Sequence, residues 1–221
     1  MKKVFVTFAG GSDSYRQSVV RLRQEVMKTG LFDAVHGITD QDLLTAPQHQ
    51  PFQQQHGAFI ANHARGYGYW LWKPYLVREL LSHLDEGDIL LYADAGCEVS
   101  IRADAMEQLL SYVRGNGAAF YFSGHDHYSH TKMDLLQHFD ILREQFEQEM
   151  CAATLFGLQK NEKSLRWLMP GGPWQQQIRI IILMTRHQSC RIMPALSITD
   201  MTSRFCRCWC MSAACSVAIR H

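Results

Sequence analysis

Ile89-Leu90-Leu91-Tyr92-Ala93-Asp94-Ala95-Gly96-Cys97-Glu98 decides how this chain folds. The apolar residues 89–92 follow one another without a break and come after a Gly87-Asp88 turn. An unbroken run of that length reads as a strand buried on both faces, the kind found in α/β domains whose sheet is covered by helices on either side. In open α/β sheets ligands bind beyond the carboxyl ends of the strands, which is where Asp94 falls. A carboxylate there can hold a divalent cation, while Ala95 and Gly96 let an anionic ligand approach the backbone. Mg²⁺ and Mn²⁺ prefer oxygen ligands and commonly bridge a carboxylate to a diphosphate. Capping a turn is the competing use of an acid at this place.

Upstream, Lys3–Phe8 is apolar and β-branched, and Ala9-Gly10-Gly11-Ser12-Asp13 follows as a turn. From Ser14 to Thr29, Tyr15, Val19, Leu22 and Val26 recur at helical spacing, with Gly30 as the stop signal. Phe32–Ile38 is a second short strand, and Thr39-Asp40-Gln41-Asp42 caps a short helix, so the chain opens with a βαβ unit and a parallel pair. Residues 46–58 are Gln-rich with two prolines and predict a surface loop or lid. Arg65-Gly66-Tyr67-Gly68-Tyr69-Trp70-Leu71-Trp72-Lys73-Pro74 leads into an amphipathic helix through Leu84, with Pro74 in its first turn. Downstream, helices are predicted over 103–114, 131–139 and 162–168, and strands over 118–123 and 151–158. The expected fold class is α/β, a mostly parallel sheet flanked by helices.

The chain has 221 residues, 47% hydrophobic and 19% charged. That is enough for one domain with its own core, without disulfides or a structural metal. A net charge of +1 excludes a broad electrostatic footprint for nucleic acid. No apolar run approaches the roughly 20 residues of a membrane span, and residues 1–3 lead into a strand rather than a signal-peptide core, so a cytoplasmic protein is expected.

Composition breaks near residue 167. Residues 168–221 carry six Arg, no Lys and one acid, Asp200, leaving 16 basic and 20 acidic residues in 1–167. Five of the seven Cys and five of the ten Met also lie in the tail. Cys206-Arg207-Cys208-Trp209-Cys210 matches neither a Cys-x₂-Cys metal pair nor a secreted disulfide framework. Codons chosen for Ser197–Met211 can be read two bases later as Asp-His-Arg-His-Asp-Gln-Ser-Ile-Leu-Ser-Leu-Leu-Val-Tyr, polar punctuation followed by an apolar run. The expected organisation is a domain over 1–167 and an out-of-frame tail over 168–221, with the C-terminal part of the fold incomplete.

Val6-Thr7-Phe8-Ala9-Gly10-Gly11-Ser12-Asp13-Ser14-Tyr15 resembles the strand and nucleotide loop that open family 8 glycosyltransferases such as glycogenin. The segment from Lys73-Pro74-Tyr75-Leu76 to Asp94-Ala95 is similar to their Lys-bearing helix and metal-binding strand. Arg65–Pro74, with Tyr92-x-Asp94-Ala95-Gly96-Cys97 and Thr131-Lys132-x-Asp134, more closely resembles a bacterial group that looks like GT-A nucleotide-sugar transferases, often tied to surface polysaccharide or capsule synthesis. The resemblance implies a GT-A-like, Rossmann-like fold and transfer of a sugar from a nucleotide-diphosphate donor to a polysaccharide or lipid-linked acceptor, the latter at the periphery of the inner membrane. It implies that Thr7 and Tyr15 frame the nucleotide base, that Arg65 and Lys73 meet the diphosphate, and that Asp94 holds Mn²⁺ or Mg²⁺. The second carboxylate of Asp-x-Asp is Gly96 here, so Glu98 or water would complete the ion, or Arg65 and Lys73 would carry the charge without one. No residue identifies a catalytic base.

Other features have plainer readings. Tyr67, Tyr69, Trp70 and Trp72 are candidates for core packing, Thr131 and Asp134 for a helix cap, and Cys97 and Cys151 for reduced structural thiols. His125-Asp126-His127-Tyr128-Ser129-His130 has ligand-type residues without a defined zinc spacing. Two rival functions follow: a non-catalytic nucleotide-binding module, and a zinc-binding interaction protein using the His loop and the Cys tail.

Overall fold

The computed structural model describes residues 1–99, 103–126 and 149–168. The chain opens as strand β1 (Lys3–Ala9), helix α1 (Asp13–Lys28) and strand β2 (Ala34–Thr39). Ser12 caps α1 by accepting from the Tyr15 amide, and Val19, Leu22 and Val26 are the face it buries. At the far end Gly30 takes the left-handed conformation, φ 65, that ends helices. β1 and β2 pair in parallel from Val4↔Ala34 to Ala9↔Thr39, the predicted βαβ unit.

Helix α2 (Asp40–Thr45) follows at once, with Thr39 and Asp42 forming a reciprocal capping box. Residues 46–58 are not a loop. They form a 3-10 turn (Pro47–His49) and most of helix α3 (Gln50–Asn62). Pro51 stands in the first turn, where its missing N–H costs nothing, and Gln is a good helix former. Phe52 and Ile60 are the side chains α3 buries, and Phe52 stacks on Tyr75 with ring centroids 4.2 Å apart. With so few apolar anchors the helical period is faint in the sequence.

A short turn α4 (Gly66–Tyr69) leads to helix α5 (Trp72–Ser82) and strand β3 (Ile89–Ala93). Then come α6 (Ala103–Asn116), β4 (Ala118–Asp126), β5 (Glu149–Gln159) and α7 (Glu162–Trp167). The sheet order is β2-β1-β3-β5-β4. β1 is parallel to β2 and β3, whereas β5 runs antiparallel to both β3 and β4, so four strands share one direction and β5 alone reverses.

All five residues of β3 are buried, as an unbroken apolar run requires. Leu90 and Tyr92 join a core under α2, α3 and α5 that includes Val6, Phe8, Leu43, Phe52, Trp72 and Leu76. Ile89, Leu91 and Ala93 join the opposite core under α1 and α6 with Phe5, Leu22, Leu109 and Val113. The predicted helix over 131–139 lies outside the described residues, as do positions 169–221 of the tail.

Candidate functional site

The carboxyl ends of β1, β2 and β3 face one edge of the sheet, and each delivers a short polar segment there. β3 ends at Asp94, whose amide donates to the Thr154 carbonyl on neighbouring β5 (2.8 Å) and whose own carbonyl accepts from the Cys97 amide (2.9 Å). The Asp94 side chain therefore turns out of the sheet at a fixed point.

Lys73, in the first turn of α5, places its ammonium on Asp94 Oδ1 at 2.8 Å and on the Ala153 carbonyl at 2.9 Å. It also lies 4.9 Å from the Tyr92 ring centroid and 5.6 Å from that of Trp72. The Tyr92 hydroxyl donates to the same Asp94 Oδ1. Burial, then the Asp94 charge, pushes this phenol well above its ordinary range, so it stays a donor. Lys73 is 10% exposed and Asp94 35%, so the pair opens to solvent on the carboxylate side.

The loop after β1 is held from the other flank. Asp40, the first residue after β2, accepts from Arg16 Nε and Nη2 at 2.8 Å each and from the Gly11 amide at 3.1 Å. Arg16's hydrogen bond holds the Asp40 carboxyl below its ordinary range, against the opposing effect of burial. A Cβ on Gly10 would stand 2.7 Å from Asp40 Cβ and 3.3 Å from the Tyr67 ring. Packing alone thus requires glycine at 10. Gly11 has φ 97, and a Cβ there would meet nothing within 4 Å. The segment after Asp94 is clamped similarly: Arg21 donates to the carbonyls of Ala95 (3.1 Å) and Cys97 (2.9 Å), and Glu25 accepts from the Val99 amide (2.9 Å).

Between these flanks runs a backbone that few sequences adopt. Gly66, Tyr67, Gly68, Tyr69 and Trp70 all have positive φ, from 50 to 79. They close a left-handed turn through Tyr69 N to Arg65 O (2.8 Å) and Trp70 N to Gly66 O (3.0 Å). Trp72 Nε1 donates to the Gly66 carbonyl at 3.1 Å. Tyr67 meets Phe8, and Trp72 packs on Phe8 with centroids 4.0 Å apart.

Lys73 and Asp94 are thus brought together. Thr7 is fully buried on the face shared with Phe5, opposite Val6, Phe8 and Tyr92, and its Oγ1 has no hydrogen-bond partner. Tyr15 is 43% exposed in the first turn of α1. Arg65 is exposed at the start of the left-handed turn, its guanidinium 5.9 Å from the Trp70 ring centroid and not on the Lys73–Asp94 pair. Glu98 is exposed and Cys97 fully buried. Trp72 packs in the core as expected, with Tyr67 and Trp70 against it.

A divalent cation fits these residues poorly. Asp94 Oδ1 already accepts from an ammonium and a hydroxyl, and position 96 has no carboxylate. Among the described residues no group of three His, Cys, Asp or Glu could hold a metal ion around Asp94, Glu98 or elsewhere. Thr131, Asp134, His127, His130 and the tail cysteines lie outside the described residues, as do the side chains of His125, Asp126 and Cys151. Sequence reading missed Arg16, Asp40 and Tyr92. Asp40 carries the same signal that marked Asp94, an acid directly after a parallel strand.

No protein-family model and no curated protein sequence matches the chain. Among solved structures it is similar to the galactosyltransferase LgtC in complex with donor and acceptor sugar analogs, with 11% sequence identity and a TM-score of 0.43 over 80% of this chain and 70% of that one. The architecture of this chain, helices on both faces of a mostly parallel sheet with one reversed strand, is the α/β fold class the sequence predicts. Among the described residues no helix is long and apolar enough to cross a membrane.

Proposed function

We propose that residues 1–167 form a glycosyltransferase domain that takes a sugar from a nucleotide-diphosphate donor and passes it to a polysaccharide or lipid-linked acceptor, in capsule or other surface polysaccharide synthesis. The observation that carries the reading is the Lys73–Asp94 pair beyond the carboxyl end of β3, beside the loop that Arg16 and Asp40 hold at the end of β1. A charged pair at the edge where α/β sheets bind nucleotides, half open to solvent, suits a ligand that carries both hydroxyl donors and phosphoryl oxygens.

In this reading the donor's base lies toward Tyr15 and its diphosphate toward Arg65 and Lys73. Arg65 is free to swing from its Trp70 contact, and a planar guanidinium suits a diphosphate. The tail from 168 on belongs to another reading frame in this account, and resequencing from codon 155 past the stop tests it. A continuation in a second frame through an Asp-His-Arg-His-Asp-Gln-like segment supports it, and confirmation of the reported frame refutes it.

The functional test is calorimetry of the full chain with UDP, GDP and CDP, with and without Mn²⁺, followed by donor hydrolysis. Binding with hydrolysis supports a transferase. Binding without hydrolysis, also after the frame is restored, favours a nucleotide-binding module. No binding to any of the three refutes the reading, and stoichiometric zinc in the purified protein would then favour the interaction protein.

A further inference from the structure

We infer that the ammonium of Lys73 fills the cation seat at Asp94, so that this site takes a nucleoside diphosphate without a divalent metal. The inference rests on the donor-binding reading above and deepens it. A hard divalent cation wants several oxygen ligands, usually with one carboxylate oxygen pointing straight at it. Here Asp94 Oδ1 accepts from two donors at once, Lys73 Nζ at 2.8 Å and the Tyr92 hydroxyl. An ion on the same carboxylate would sit beside the ammonium of a lysine side chain that is 10% exposed and cannot swing away without breaking its bond to the Ala153 carbonyl. The aromatic faces of Trp72 and Tyr92 lie 5.6 and 4.9 Å from the same ammonium and favour a cation there. Like charges that close repel strongly where solvent is scarce.

The ligand count points the same way. Position 96 is glycine, and the segment from Ala95 to Val99 is tied to α1: its carbonyls at 95 and 97 accept from Arg21, and the Glu25 carboxylate accepts from Arg21 and the Val99 amide, so these oxygens are taken. An ammonium has three donors, and two are taken by Asp94 and Ala153, leaving one for a phosphoryl oxygen. Lys73 in this role is both the counter-ion that orients Asp94 and a single-point contact to the diphosphate. Sequence spacing could not show it, because the two residues are 21 positions apart and meet only through the packing of α5 on β3.

The test titrates Mn²⁺ alone into the full chain by calorimetry, and then UDP in EDTA and in Mn²⁺, using wild type, Lys73→Met and Asp94→Asn. Expected are no Mn²⁺ site in the wild type tighter than about 1 mM, and UDP affinity equal within about twofold in the two buffers. Lys73→Met should lose about tenfold or more of UDP affinity in EDTA. A wild-type Mn²⁺ site that disappears in Asp94→Asn overturns the inference, and so does UDP binding that falls about tenfold when Mn²⁺ is removed. If no nucleoside diphosphate binds in either buffer, the donor reading falls. The Mn²⁺ titrations of the wild type then still decide what occupies Asp94, and circular dichroism of the variants shows that they are folded.

Discussion

Removing either partner of the Lys73–Asp94 pair destabilises the protein, and the two removals should be unequal in a direction set by burial. Asp94→Ala strips the counter-charge from the ammonium of a lysine side chain that is 10% exposed and also leaves the hydroxyl of Tyr92, a fully buried residue, without its acceptor. Breaking a buried pair from this side costs about 3–5 kcal/mol, with the lower half of the range apt here because Ala153 and two ring faces still solvate the ammonium. Lys73→Met leaves a carboxylate that is 35% exposed and keeps the Tyr92 hydrogen bond, so water takes over much of the lost stabilisation. Its cost is about 1–2 kcal/mol. In the double variant Lys73→Met/Asp94→Ala no charge is stranded, which gives a coupling energy of about 1–2 kcal/mol. Urea unfolding of the four proteins at neutral pH, with a common m-value, reads all of these quantities. A Lys73→Met cost equal to or above that of Asp94→Ala refutes the burial argument. A coupling below about 0.5 kcal/mol, the size of an exposed pair, refutes the pair itself.

Three further outcomes are expected. Gly10→Ala should cost about 1–3 kcal/mol in urea unfolding, because its Cβ would come 2.7 Å from Asp40 Cβ, whereas a neutral result would mean that Asp40 does not press on the loop. Tyr92→Phe should cost about 1 kcal/mol, since Asp94 keeps its ammonium partner, and should leave the fold unchanged by circular dichroism. The Asp40 carboxyl is held below its ordinary value of 3.8, chiefly by Arg16, so its contribution is fully present above that value and is lost as pH falls through the lower folded one. The stability difference between wild type and Asp40→Asn should therefore be flat from about pH 7 to 5 and close below about pH 4; a difference that instead opens as the pH rises above 6 contradicts the assignment.

Much of the scaffold is written locally. The unbroken run at 89–92, the cap at Thr39–Asp42 and the Gly30 stop each rest on neighbours within a few positions, and each is found where the sequence puts it. Strand direction is a different matter. Alternation is the same whichever way a strand runs, so nothing in Cys151–Leu158 announces that β5 reverses between β3 and β4. α3 escaped notice because two buried side chains in thirteen residues leave almost no period to read. At the site, single acids after strands mark positions, but partners do not follow from them. Arg16 finds Asp40 across 24 residues, and Arg21 finds Ala95 across 74, only because α1 returns over the sheet edge.

The stretch Arg65–Pro74 ties these levels together. Each non-glycine residue in the left-handed region costs roughly 1–2 kcal/mol, and Tyr67, Tyr69 and Trp70 are all there. Such a turn persists only if the surroundings over-determine it. Gly66 has room for no side chain beside the Trp70 ring, and Gly68 none beside Ile60, so tight packing sets both glycines. The Trp72 indole then fastens the Gly66 carbonyl from the first turn of α5, one residue before Lys73. The strained turn and the ammonium's position are therefore parts of one device, and loosening the first should loosen the second. Trp72→Phe removes the indole donor while keeping a ring against Phe8. It should cost about 1 kcal/mol globally, yet speed amide exchange at Tyr69 and Trp70 by more than that global loss accounts for. Exchange that quickens equally at Tyr69, Trp70 and the β3 amides would mean the turn is held by its own hydrogen bonds and not by Trp72.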